Sequence, residues 1–274
     1  MKGAAACFGR AMRAAQTGNR ERPAAMGNLH YALQLYTVRD YLEKDVAAAL
    51  QKIREAGYKH VEVAGTHGLA AVEFKKLLDA AHLKAMSVHT GYEDVVKNTP
   101  AVVELANTLG VKYVAIGGID RALTPDKQGW QACGRALDAS GARLREAGII
   151  LNYHNHAHEF ERIGDEYPFD ILMASASPEN LSAQIDTFWV RYAGLNPASL
   201  ISRYGGRCPL LHVKDMLDIK SRAFTEMGNG ILDWREIFAA ASAAGTKWYI
   251  VEQDVCPRDS MASAAISAQY MARF

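Results

Sequence analysis

From His30 onward, short apolar runs alternate with longer amphipathic stretches. The runs at 31–36, 60–63, 83–88, 113–116, 149–153, 181–185, 209–213 and 248–251 read as strands. Each is rich in β-branched, aromatic or aliphatic residues, and a polar or glycine-containing loop follows it. Between them, 45–56 carries Val46, Leu50 and Ile53, and 101–109 carries Val102, Leu105 and Leu109, the spacing of one helical face. Further helices are predicted over 130–147, 197–204, 234–244 and 261–270. Gly57, Gly110, Gly148 and Gly245 stand where helices stop, and a strand begins shortly after each one.

This cadence predicts an α/β fold, a (β/α)8 TIM barrel in one domain spanning 29–274, since about 250 residues is the usual size of such a barrel. A doubly wound Rossmann sheet would want GxGxxG after the first strand, where the chain has Tyr36-Thr37-Val38-Arg39-Asp40. Residues 1–28 differ in composition: they are rich in Ala and Arg, their first acid is Glu21, and no uninterrupted apolar stretch follows the basic residues. They read as a disordered extension or a targeting-like segment, the latter leaving export open for an otherwise cytoplasmic protein.

A formal net charge of +1 gives no electrostatic case for a nucleic-acid partner. No run approaches the ~18 apolar residues of a membrane span. Cys7, Cys133, Cys208 and Cys256 are scattered, without a CxxC pair, and read as reduced thiols.

In a barrel the C-terminal strand ends face the active site, so polar residues there bear on chemistry. They are Gln34, Glu62, His89, His154 with Asn155 and His156, Asp186, His212 with Lys214, and Glu252. One such residue would read as a satisfied core group; their recurrence at one level of the barrel argues for a site. Asp186, His212 and Glu252 converge from successive late strands, an oxygen and imidazole set suited to Mn²⁺, Mg²⁺, Co²⁺ or Zn²⁺.

The segments Gln34-Leu-Tyr-Thr-Val-Arg39, Tyr153-His-Asn-His156, Ile185-Asp-Thr-Phe-Trp189, Leu211-His-Val-Lys-Asp215, Gly228-Asn-Gly230 and Ile250-Val-Glu-Gln-Asp254 occur in this order. Together they resemble the sugar phosphate isomerase/epimerase family of xylose-isomerase-like barrels. The resemblance implies a divalent ion, manganese foremost, held by four side chains from strands five to eight. In the epimerase branch these are Glu, Asp, His and Glu. Asp186, His212 and Glu252 match the last three; alignment through Asn155 and His156 puts His154 where epimerases carry a glutamate. Such epimerases resemble two-base enzymes, so His154 leaves Glu252 as the metal-bound carboxylate base.

The chemistry expected is enolisation beside a carbonyl, with a sugar or keto-sugar as the small-molecule partner. Glu252, Glu62, Lys214 and Glu159 are the candidate catalytic groups. Lys214 polarises the carbonyl or ion-pairs with Asp215 or Glu252. Glu62 acts on the substrate or orients a ligand, and Glu159 is an acid–base group or an ordinary loop carboxylate. Gln34, His89, His156 and Trp189 are candidate substrate contacts, the Trp189 indole suiting the C–H face of a sugar ring. Tyr36 and Phe160 are weaker candidates for pocket walls, and His158 has no comparable argument. Gly228-Asn229-Gly230 reads as a family glycine loop or a flexible turn; with no Lys or Arg in it, a phosphorylated substrate is not demanded.

A metal-dependent isomerase or epimerase is the leading expectation. The alternative is a lyase, either an inosose-type dehydratase or an enzyme eliminating the aglycone of a 3-keto-glycoside. Apurinic-site nuclease activity fits the charge poorly, and an inactive sugar-binding barrel is the remaining reading. Dimers or tetramers are common among such barrels, and a homo-oligomer is compatible with the sequence.

Overall fold

Every apolar run named above forms a strand. The computed structural model describes residues 29–274, so the expectation for 1–28 lies outside the described residues. In chain order the strands are β1 (Tyr31–Gln34), β2 (His60–Ala64), β3 (Lys84–Thr90), β4 (Tyr113–Ile116), β5 (Ile150–His154), β6 (Ser182–Asp186), β7 (Leu210–Val213), β8 (Asp215–Met216), β9 (Phe224–Thr225) and β10 (Trp248–Val251). All but β8 and β9 pair in parallel around a closed ring, β10 returning to β1 through Tyr31–Tyr249 and Leu33–Val251. Strands β8 and β9 form a small antiparallel pair in the excursion after β7.

Alternation along the strands separates two environments. Leu33, Val61, Val114, Leu151, Ile185, Leu211 and Val251 belong to the main core. Ala32, Met86, Leu210 and Ile250 form a separate small cluster that fills the barrel's interior. The next inward residue on β1, β7 and the β10 end is polar: Gln34, His212 and Glu252 are all buried. The register of β2 and β3 shifts between Val61 and Glu62, inserting a residue into β3. That insertion brings both Met86 and His89 to the inside, which strict alternation would forbid.

The predicted helices form as Val46–Glu55, Thr99–Leu109, Lys127–Glu146, Pro197–Arg203, Trp234–Ala244 and Ser260–Met271. Gly57, Gly110, Gly148 and Gly245 all adopt positive φ at or just beyond helix ends. Five further helices, Arg39–Leu42, Ala71–Ala80, Tyr92–Lys97, Pro168–Ala174 and Thr187–Tyr192, were not predicted. A Cβ at Gly141 would stand 1.9 Å from the Asn180 carbonyl oxygen, so the longest helix packs on the loop before β6 through a bare backbone. No helix among the described residues is long and apolar enough to cross a membrane.

Candidate metal centre

The late strands lift their polar side chains into the barrel mouth by the same two-residue rhythm. Gln184 precedes Asp186 on β6, Asn152 precedes His154 on β5, and Leu210, His212 and Lys214 follow one another along and just beyond β7. Asp186 and His212 are direct register partners, so these two predicted ligands sit side by side.

His154, Asp186, His212 and Glu252 are all buried, and each offers a ligand atom within 4.8 Å of the others. The two Asp186 oxygens have separate roles. Oδ1 caps the helix Thr187–Tyr192 by accepting from the Trp189 amide at 2.9 Å. Oδ2 has no hydrogen-bond partner, although the Lys214 ammonium lies 2.9 Å away as an ion pair. His154 Nδ1 is likewise buried without a partner.

On His212, Nδ1 faces Glu252 Oε2 at 2.7 Å and Nε2 faces Glu62 Oε2 at 2.6 Å. Glu62 is itself saturated. Its Oε1 accepts from Gln184 Nε2 at 2.7 Å, its Oε2 from Gln34 Nε2 at 2.8 Å, and His89 Nε2 is 3.2 Å from Oε2.

A divalent cation fits this group. Asp186 Oδ2, which accepts no hydrogen bond and has the Lys214 ammonium beside it as an ion pair, stands 3.7 Å from His154 Nε2 in a set of nitrogen and oxygen donors without thiolates. Glu62 also stands behind His212 as carboxylates stand behind metal-binding imidazoles, fixing ring and tautomer. Glu62, Asp186, Glu252 and Asp254 crowd carboxylates around the single ammonium of Lys214 and the His212 ring, an acidic excess that a cation would neutralise.

The field in the site splits its titrating groups. Burial disfavours the charged His212 ring, but Glu62 and Glu252 outweigh it and push the group up to about 9. His154 goes the other way, held well below the ordinary histidine value by burial and the neighbouring His212. Burial pushes Asp186 up to about 6 against the pull of Lys214. Burial also works against Glu252 as a carboxylate, yet Lys214 and His212 hold it below the usual range. Two ligands that favour the neutral form thus stand beside two whose charges sustain each other.

The remaining expected residues divide between the site and its frame. Lys214 is wholly enclosed and pairs with Glu252 Oε2 at 2.6 Å, as one sequence reading had it, and also with Asp186 and Asp254. Its partner is not Asp215, whose carboxylate accepts from Gly228 N, Gly230 N and Trp234 Nε1. The Gly228-Asn229-Gly230 amides are therefore taken up inside the fold. His89 binds Gln184 Oε1 at 2.7 Å, and its ring stacks 5.4 Å from that of His212. His156 lies between the rings of His154 and Trp189. Trp189 Nε1 is buried without a hydrogen-bond partner. Glu159 stands apart: its carboxylate accepts from Tyr153 Oη at 2.8 Å and the His156 amide at 2.9 Å, outside the ligand group.

Sequence reasoning missed Gln184 and Asp254. Gln184 sits two residues before Asp186 on the same strand, a position that alternation turns inward. Asp254 stands just past the last strand end, where it continues the two-residue alternation of Ile250 and Glu252.

Residues 50–273 match the model of the xylose isomerase-like TIM barrel family. The chain is similar to the inosose dehydratase of Lacticaseibacillus casei, 25% identical over 246 residues that cover 76% of this chain and 82% of that protein. Among solved structures it resembles a sugar phosphate isomerase/epimerase from Parabacteroides distasonis ATCC 8503, with a TM-score of 0.78 at 22% identity over 92% of this chain and 96% of that one. It also resembles the IOLI protein with a bound zinc atom, with a TM-score of 0.69 at 14% identity over 89% of this chain and 96% of the other. At these identities the structural likenesses speak for the fold. With the family model covering most of its length, the chain belongs to the xylose isomerase-like TIM barrels.

Proposed function

We propose that this chain is a divalent-metal-dependent lyase that removes water from a cyclic polyhydroxy ketone of the inosose type. The observation that carries the reading is the pairing of Glu252 with Lys214 at 2.6 Å, in a site whose fourth corner is His154 instead of a second glutamate. Epimerisation needs a base on each face of the substrate; elimination needs one base and an acid for the leaving group. Glu252 is the base that takes the proton beside the carbonyl. The Lys214 ammonium gives a proton to the hydroxyl on the next carbon, which leaves as water while the carbon–carbon double bond forms. The proton on Glu252 then returns to the Lys214 amine across the same contact, and both groups are restored.

When bound, the ion supplies Lewis acidity that stabilises negative charge on the carbonyl oxygen. Asp186, His212, His154 and Glu252 would hold it, and the zinc atom of the IOLI structure supports a divalent ion of this kind. Glu62 accepts hydrogen bonds at both oxygens, which suits orienting His212 better than acting on substrate. His89, His156 and Trp189 line the mouth for substrate hydroxyl groups and a ring face. The relative named inosose dehydratase supports the lyase over the isomerase or epimerase that the sequence put first.

The test is incubation of the metal-loaded protein with an inosose in D₂O, followed by mass spectrometry and NMR. Loss of one water is the expected result, with a 2-hydroxyenone or its 1,2-diketone tautomer as product. Deuterium incorporation without loss of mass to elimination would instead establish an isomerase or epimerase.

A further inference from the structure

Lys214 and a divalent cation compete for the same atoms. The ammonium lies 2.9 Å from Asp186 Oδ2 and 2.6 Å from Glu252 Oε2, both on members of the ligand group. Its third neighbour is different. Asp254 Oδ2 accepts a hydrogen bond from Nζ at 2.9 Å, and Asp254 is outside that group. Lys214 is fully enclosed, whereas the Asp254 side chain is 21% exposed and borders a cleft of about 360 Å³ that also touches Thr37 and Arg39. Arg39 Nη2 donates to the Asp254 carbonyl oxygen at 2.9 Å, and the Arg39 guanidinium stacks over Tyr36. The backbone that carries the third carboxylate is thereby tied to the first βα loop.

Two cations sharing a pair of carboxylates in a dry site repel each other, and a counter-charge on the far side of one offsets that cost. We propose that Asp254 is a positioning residue that draws the Lys214 ammonium toward the rim, so that lysine and divalent ion occupy the mouth together. Asp254 then sets metal affinity through Lys214 and not through direct contact with the ion. It also keeps the amine at the distance from Glu252 that the proton return requires, so the proposal rests on the metal-dependent reading above.

The geometry makes a double-mutant cycle decisive. Divalent-ion affinity is measured by calorimetric titration of Mn²⁺ and Zn²⁺ into chelator-stripped wild type, Asp254→Asn, Lys214→Met and the double variant. Thermal melts confirm that each is folded. Asp254→Asn is expected to weaken binding by about tenfold, because the lysine is left on Asp186 and Glu252. Lys214→Met is expected to tighten binding, and in its background Asp254→Asn should cost little. A general loss of negative charge would weaken binding equally in both backgrounds, and that additive result overturns the proposal. In turnover, Asp254→Glu should restore kcat more than KM relative to Asp254→Asn; a variant pair differing in neither also counts against it. Should wild type bind neither ion, the metal-dependent reading itself fails, an outcome distinct from an additive cycle.

Discussion

Glu62 and His212 meet at 2.6 Å across the barrel, the carboxylate from β2 bracing the far nitrogen of a ring from β7. With Glu252 2.7 Å from the other nitrogen, the imidazole is clamped at both ends. Glu62→Gln keeps the size of the side chain but loses the charge that fixes the ring's tautomer. Divalent-ion affinity is expected to fall by about 10–100-fold, with the fold intact. Calorimetric titration of stripped protein measures this, and an unchanged affinity would remove Glu62 from the support of the site.

The divided carboxylate of Asp186 gives a second test. Asp186→Asn retains an oxygen for the Trp189 amide, so the helix cap survives; Asp186→Ala loses it and should cost about 1 kcal/mol of stability. Both variants should lose stoichiometric metal and turnover. Elemental analysis alongside thermal melts separates the two roles, and full metal content in Asp186→Ala would refute the ligand assignment.

The barrel was legible because strand and helix periods differ and glycines mark the helix ends. Five helices escaped, and three of them, Arg39–Leu42, Tyr92–Lys97 and Thr187–Tyr192, are too short to show a face. Asp186, His212 and Glu252 stood out as polar strand ends, and the structure brings them together with His154. For Glu62 and Lys214 the sequence left two readings each, ligand support or ion pairing beside direct action on substrate, because the choice depends on which oxygens meet across strands far apart in sequence. Asp215 was equally opaque: its neighbour Lys214 turns inward while its own carboxylate gathers the amides of the following loop.

Glu159 offers a pH test away from the ligands. Burial raises its carboxyl above the ordinary 4.5 despite the favourable hydrogen bonds from Tyr153 and His156. A group raised in the folded state contributes stability that is complete below its unfolded value and is lost as pH rises through the folded one. The melting temperature of wild type relative to Glu159→Gln should therefore decline from pH 4.5 upward. Melts at pH 4, 6 and 8 (roughly spanning the window) check it; a difference that grows with pH would reverse the assignment.

Gly230 has no room for a side chain, since a Cβ there would lie 2.2 Å from both Asp215 Oδ1 and the Met216 carbonyl oxygen. Gly230→Ala should cost about 1–3 kcal/mol and loosen the excursion after β7. Denaturant unfolding and limited proteolysis of that loop would register it. Metal stoichiometry should hold, because none of the four ligands rests on this loop.

The closure of β10 onto β1 joins two unlike halves of the protein. All four ligand corners lie between residues 154 and 252, whereas Gln34, Glu62 and His89, which steady them, come from the opposite half. An arc of the later strands alone would carry the ligands without the groups that aim them. Tight binding of the ion is consequently a signature of completed ring assembly: during refolding, affinity should mature last, when the two arcs meet.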